Sequence, residues 1–156
     1  MDDTQDSAQV RIRPPLVWAT AVIAGLALNW FAPIPFLPTA FPAGLLGALV
    51  FVLALVLFAW AIVTITRAGS NVPGNRPTTT IVESGPYRFT RNPIYLGMFF
   101  ALIGLAIAFD DLWLLIVLVP FALLIRYAAV AREEAYLERK FGDAYRSYRA
   151  RVRRWL

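Results

Sequence analysis

Residues 44–65 form a run of 22 residues without one charged side chain. As an α-helix rising 1.5 Å per residue, such a run reaches about 33 Å, enough to cross a hydrocarbon core of ~30 Å. A second run, residues 15–32, is interrupted only by Thr20 and Asn29. Between the two lie Pro33, Pro35, Pro38 and Pro42, a density of proline that stops a helix. Two shorter apolar runs, 94–109 and 112–125, flank Asp110-Asp111 and read as a helical hairpin turning at the aspartates, with Pro120 placed to kink its second arm. The expected fold is all-α: a polytopic membrane protein with about four transmembrane helices and a C-terminal cytoplasmic or interfacial helix. It forms a single domain over 1–156, with an N-terminal helical pair (1–66) and a core and amphipathic tail (67–156).

Composition agrees. The chain is 59% hydrophobic with a mean hydropathy of +0.60, more apolar than an ordinary soluble domain. Its net charge of +5 is concentrated at the ends of the apolar runs. Arg11 and Arg13 precede the first run; Arg67, Arg76, Arg88 and Arg91 separate the second and third; nine more basic residues begin at Arg126. The remaining two connections carry no Lys or Arg. The positive-inside rule then puts both termini and the central loop in the cytoplasm. The acidic start lacks the pattern of a cleaved signal peptide, so the first run is expected to stay in the chain. Arg outnumbers Lys 14 to 1, a bias that suggests a GC-rich bacterial genome and hence the inner membrane. The basic excess suits anionic headgroups or an anionic cofactor, and no nucleic acid is expected.

In the tail, residues 126–140 are expected to continue the fourth helix into the cytoplasm, with Gly142 ending it and Asp143 capping another. Tyr145, Tyr148, Val152 and Trp155 share a stripe amid arginines. Two readings stay open: a helix lying at the membrane surface, or one packed on a neighbour.

The chain holds no cysteine and no histidine, which removes thiol chemistry, the commonest general base and the commonest transition-metal ligand. No metal is expected. Chemistry falls to carboxylates, Arg, Tyr and backbone groups. Charged residues gather next to the membrane in two segments. In the first, Pro93 suits the first position of a helix and Asn92 its cap; free N–H groups there, with Arg88 and Arg91, attract an anion, and Gly97 lets a ligand approach the backbone. On generic grounds, headgroup anchoring by the arginines and helix packing at Gly97 explain the same residues. In the second, Glu133 and Glu134 read generically as a solvated face with basic partners. Topology brings the two segments to the same side, where loop and helices would enclose a pocket open to cytosol and lipid.

Together, Gly85-Pro86-Tyr87, Arg91-Asn92-Pro93-Ile94-Tyr95-Leu96-Gly97, the hydrophobic hairpin, then Glu133-Glu134, Leu137, Phe141-Gly142, Tyr145 and Tyr148 resemble, in order and spacing, the isoprenylcysteine carboxyl methyltransferase family and its relatives among phospholipid N-methyltransferases. The likeness covers residues 80–155. It implies an enzyme that uses S-adenosylmethionine (SAM) and releases S-adenosylhomocysteine. It also implies a cofactor site lined by Tyr87, Arg91, Asn92, Pro93, Tyr95 and Gly97 on one side and Glu133, Glu134 and Leu137 on the other. Arg91 would take the SAM carboxylate, and a glutamate its ammonium or ribose hydroxyls. Many relatives carry histidine where this chain has Asn92; asparagine binds but moves no proton.

An anionic acceptor, carboxylate or thiolate, needs no base. An amine must lose a proton, for which Glu133 or Glu134 is the evident catalytic group. The tail resembles the carboxyl methyltransferases more closely, and the acceptor is expected to be lipophilic or small. The competing reading is a non-catalytic lipid-binding or scaffolding protein, which would bind no SAM. The oligomeric state is not legible in the sequence.

Overall fold

The computed structural model describes residues 10, 12–71 and 77–156. Arg11 and Arg76, counted in the charge pattern, lie outside them. The described chain is helical with no strand: α1 (Pro14–Phe31), α2 (Ala43–Arg67), a 3₁₀ turn (Gly85–Arg88), α3 (Pro93–Ala108), α4 (Leu112–Leu124), a π-helical segment (Ile125–Val130), α5 (Ala131–Phe141) and α6 (Asp143–Arg151). The segment from α4 through α5 is one continuous helix of 30 residues. It reaches about 45 Å, so a core of ~30 Å accommodates α4 and the π segment and leaves α5 projecting beyond it. α1, α2 and this long helix are long and apolar enough to cross a membrane. α3, with 16 residues, rises only about 24 Å. It is the central helix, packed between α2 and α4, and most of its first ten residues are buried.

The α2–α3 seam is made close by small residues. A methyl on Gly47 would sit 2.2 Å from the backbone nitrogen of Ala108, and one on Gly104 would sit 2.6 Å from that of Phe51. In lipid, where apolar side chains gain nothing by leaving the solvent, such backbone approach is what dispersion between helices requires. The other face of α2, with Leu49, Val52, Val56 and Val63, is exposed, as a lipid-facing surface should be.

The aspartate hairpin is observed. Asp111 caps α4, its Oδ1 accepting from the N–H groups of Trp113 (2.8 Å) and Leu114 (3.3 Å). Asp110 reaches across to the proline-rich linker, accepting from Phe36 N–H and Leu37 N–H, both at 2.8 Å. Trp113 donates to the Ala32 carbonyl at 2.7 Å. The two connections without Lys or Arg therefore meet at one end of the bundle, opposite the arginines. Pro120 leaves α4 α-helical through Leu124; the departure from α geometry follows it, at Ile125–Val130.

Two local expectations change. Gly142 alone, at φ +51°, ends α5 and starts α6, while Asp143 is already inside α6 and accepts from Arg146 at 2.6 Å. Asn92 occupies the cap position of α3 but its side chain caps nothing there; it is drawn off to the tail, as described below.

Candidate active site

The 3₁₀ turn delivers Tyr87 and leads into Arg91 and Asn92 at the start of α3. Pro93 takes the first helical position, where its missing N–H costs nothing. One turn on, the Tyr95 hydroxyl donates to Glu133 Oε1 at 2.6 Å. Glu133, on α5, is 6% exposed. Burial pushes its carboxyl up to about 7; the hydrogen bond from Tyr95 pulls down, and the charge of Glu134 pushes up again.

Glu134 is the next residue, about 100° around the helix, and its surroundings are of the opposite kind. Arg154 grips it with two hydrogen bonds, Nε to Oε1 at 2.8 Å and Nη2 to Oε2 at 2.7 Å. Arg91 Nη1 lies 3.3 Å from Oε1. Burial pushes the Glu134 carboxyl up, but the Arg154 hydrogen bonds and the charges of Arg91, Arg154 and Arg126 outweigh it and hold it below the usual range. The two adjacent carboxyls are thus separated by environment into an ionised one and one poised near neutrality, the division that acid–base sites exploit.

The tail closes this arrangement. The Arg153 carbonyl accepts from Arg91 N–H at 2.9 Å, and the Arg154 carbonyl from Thr90 Oγ1 and Asn92 Nδ2, both at 3.0 Å. Trp155 rests on Phe99, ring centroids 5.3 Å apart. In α6, Tyr145 and Tyr148 are almost fully buried, and Tyr148 donates to the Tyr87 carbonyl at 2.7 Å. Of the two readings of this aromatic stripe, packing on a neighbour is the one observed.

Two cavities adjoin here. The first, about 680 Å³ counting its open mouth, is walled by Arg91, Asn92, Glu133, Glu134, Leu137 and Tyr145 and roofed by loop residues Thr78, Thr80, Ile81 and Val82. The second is mainly apolar and runs along Pro14, Pro15, Phe58, Ile62, Pro93, Tyr95 and Met98. Tyr87, Arg91, Asn92 and Glu133 line both. Eight of the nine residues singled out in the sequence therefore border one of these two spaces. Gly97 borders neither: it belongs to the α2–α3 seam, 3.1 Å from the Ala54 carbonyl were it given a methyl, and to an apolar hollow beside Trp18. Arg154 was missed. Its helix ends at Arg151, and nothing in its spacing shows that the chain then folds back. Tyr145 and Tyr148 carried a signal, an i, i+3 aromatic pair in an otherwise charged helix.

The phospholipid methyltransferase family model matches residues 42–144, from the start of α2 into α6. This chain belongs to the phospholipid methyltransferase family. Its membership fixes the chain as a membrane methyltransferase and agrees with the resemblance carried by the two charged segments. An uncharacterized protein of Haemophilus influenzae is 54% identical over 44 residues, 28% of this chain and 67% of that protein. No solved structure matches. The matched region stops before Arg153, Arg154 and Trp155, so the tail that closes the site lies beyond what the family model describes.

Family membership implies SAM, and the residues present fit it. Among the described residues, Tyr87 Oη and Arg91 Nε are buried without a hydrogen-bonding partner. Both residues line the two cavities, and an orphaned buried donor costs about 1–3 kcal/mol unless a ligand satisfies it. Arg91 Nη1 is engaged with Glu134 and with the Tyr145 hydroxyl, at 3.2 Å, leaving Nε for a ligand carboxylate.

Proposed function

We propose that this protein is an integral membrane methyltransferase that uses SAM to methylate a lipophilic acceptor at the charged end of its helix bundle. The observation that carries this reading is the pair of adjoining cavities that share Arg91 and Glu133, one bordered by Glu134 and roofed by the loop, the other apolar and set between α1, α2 and α3. A water-soluble reagent and an apolar partner would meet where they share Arg91 and Glu133.

Arg91, with Tyr87, would hold the polar end of SAM; Asn92 and the tail carbonyls would fix the position of that segment. When bound, SAM supplies an electrophilic methyl group. The walls contributed by Leu137, Tyr145 and Tyr148 keep water from the reacting centre, which strengthens the local electrostatics. Glu133 can receive a proton from an acceptor amine, with Tyr95 orienting its carboxyl. A carboxylate acceptor, the type that the motif most resembles, needs no such help. Both termini and the site are assigned to the cytoplasmic side of a bacterial inner membrane, on the distribution of Arg and Lys.

The test is titration of the purified protein with SAM and S-adenosylhomocysteine. Binding in the micromolar range is expected, about −7 to −8 kcal/mol, and no binding of either compound overturns the reading. Membranes supplied with methyl-labelled SAM then separate the acceptor classes. Label released by mild alkali is a methyl ester; label that survives sits on nitrogen or sulfur.

A further inference from the structure

The long helix does not keep a single α-helical register. Asp111, Leu114, Phe121 and Ile125 are buried along one face. Stepping on from Ile125 by about 3.6 residues brings the next inward positions near 128 or 129 and then near 132. Ala129 and Tyr136 fall where this stepping puts them, but Val130 is buried beside Ala129, and Glu133 is buried in place of Arg132, which is only half-buried. The offset begins in the π segment Ile125–Val130, where the Ala131 N–H bonds the Arg126 carbonyl five residues back. A π turn absorbs one extra residue within an α-helix, and such turns recur at functional sites.

We infer that this inserted residue positions the site carboxylates: it turns Glu133 toward Tyr95 and Glu134 toward Arg91 and Arg154. The same sequence as an unbroken α-helix would rotate α5 by about 100°, presenting Arg132 to Tyr95 and carrying Glu133 away. Contacts on three separate elements hold the π register: Tyr95 on α3 with Glu133, Thr78 on the loop with Tyr136, and Arg154 on the tail with Glu134. Rotation would break all three together.

The consequence is an asymmetry between losing a residue and gaining one. Deleting one residue from the segment removes the π turn and leaves the faces on either side aligned. Adding one residue cannot be absorbed. The test uses deletion of Tyr127, which is 67% exposed, and insertion of one alanine after it, each in a chain carrying Ala135→Cys. Because the protein has no cysteine, that thiol is the sole reporter, and it sits on the exposed face of α5. Parent and deletion are expected to label at similar rates and bind SAM within about threefold of each other, whereas the insertion labels several-fold more slowly and binds about tenfold or more weakly. A deletion that protects the thiol as much as the insertion does overturns the inference, and the deletion alone decides it should the insertion fail to fold. The functional half rests on the SAM reading. If labelling follows the expected pattern while the parent binds no SAM, that reading fails and the register assignment stands.

Discussion

Arg154 and Glu134 are twenty positions apart and on separate elements, yet the guanidinium meets the carboxylate through two hydrogen bonds of 2.8 and 2.7 Å. The pair is largely shielded from solvent, with side chains 28% and 12% exposed. Truncating one partner strands the other's charge. Arg154→Ala is expected to destabilise the folded protein by about 1–3 kcal/mol, and Arg154→Lys to recover less than half, since an ammonium cannot reproduce the fork. Denaturation in detergent measures both. If the alanine variant matches the parent, the tail does not hold the site.

Glu133 gives a pH signature. Its folded pKa, about 7, exceeds the 4.5 of a free carboxyl, so the folded state retains a proton that the unfolded chain has lost. The stability gained from that retention is full below about 4.5 and is lost as pH rises through about 7, with a span of roughly 3 kcal/mol. Glu133→Gln, which mimics the protonated acid, should lack this dependence. Melting temperatures from pH 5 to 9 are expected to show the parent falling relative to the variant. Parallel curves would remove the raised pKa.

Arg91 offers one unpartnered donor, Nε, beside pairings to Glu134 and Tyr145. Arg91→Lys loses the fork and should weaken SAM binding about tenfold or more. Asn92→Leu loses the tie to the Arg154 carbonyl and should bind SAM poorly, whereas Asn92→His should keep binding. Isothermal titration of the three variants reads the outcome; an unchanged affinity for Arg91→Lys refutes its role on a ligand carboxylate.

The α2–α3 seam predicts a contrast between two glycines three residues apart. Gly47→Ala drives a methyl into the Ala108 backbone and should cost about 1–3 kcal/mol. Gly44, with nothing within 4 Å of an added methyl, should accept alanine at no cost or with a gain of up to about 1 kcal/mol. Equal melting temperatures for the two variants would contradict the seam.

For orientation, Thr39→Cys on the uncharged linker should label from outside intact cells, and Ala68→Cys, past the end of α2, only after permeabilisation. Both positions are exposed. Labelling of the second in intact cells would reverse the topology.

The sequence by itself determined the helices and which end of the bundle carries the arginines. Residue 44–65 hydropathy, proline density between 33 and 42, and the paired aspartates are local facts, and lipid leaves an apolar run few options besides a helix. It also determined the two segments of the site, because motif order and spacing are properties of the chain. What only the tertiary structure decided depends on residues far apart in sequence. That Gly97 faces α2, that Asn92 turns to the Arg154 carbonyl, and that the tyrosine stripe of α6 is covered by protein all depend on which surface arrives opposite. So does the partner of Glu134. Its nearby lysine and arginines satisfied the generic rule for a solvated helix face, and the residue that grips it lies beyond the end of α6. Helical periodicity likewise misplaces Glu133 by about one residue, because a π turn leaves no mark on composition and is held by contacts with the loop, α3 and the tail.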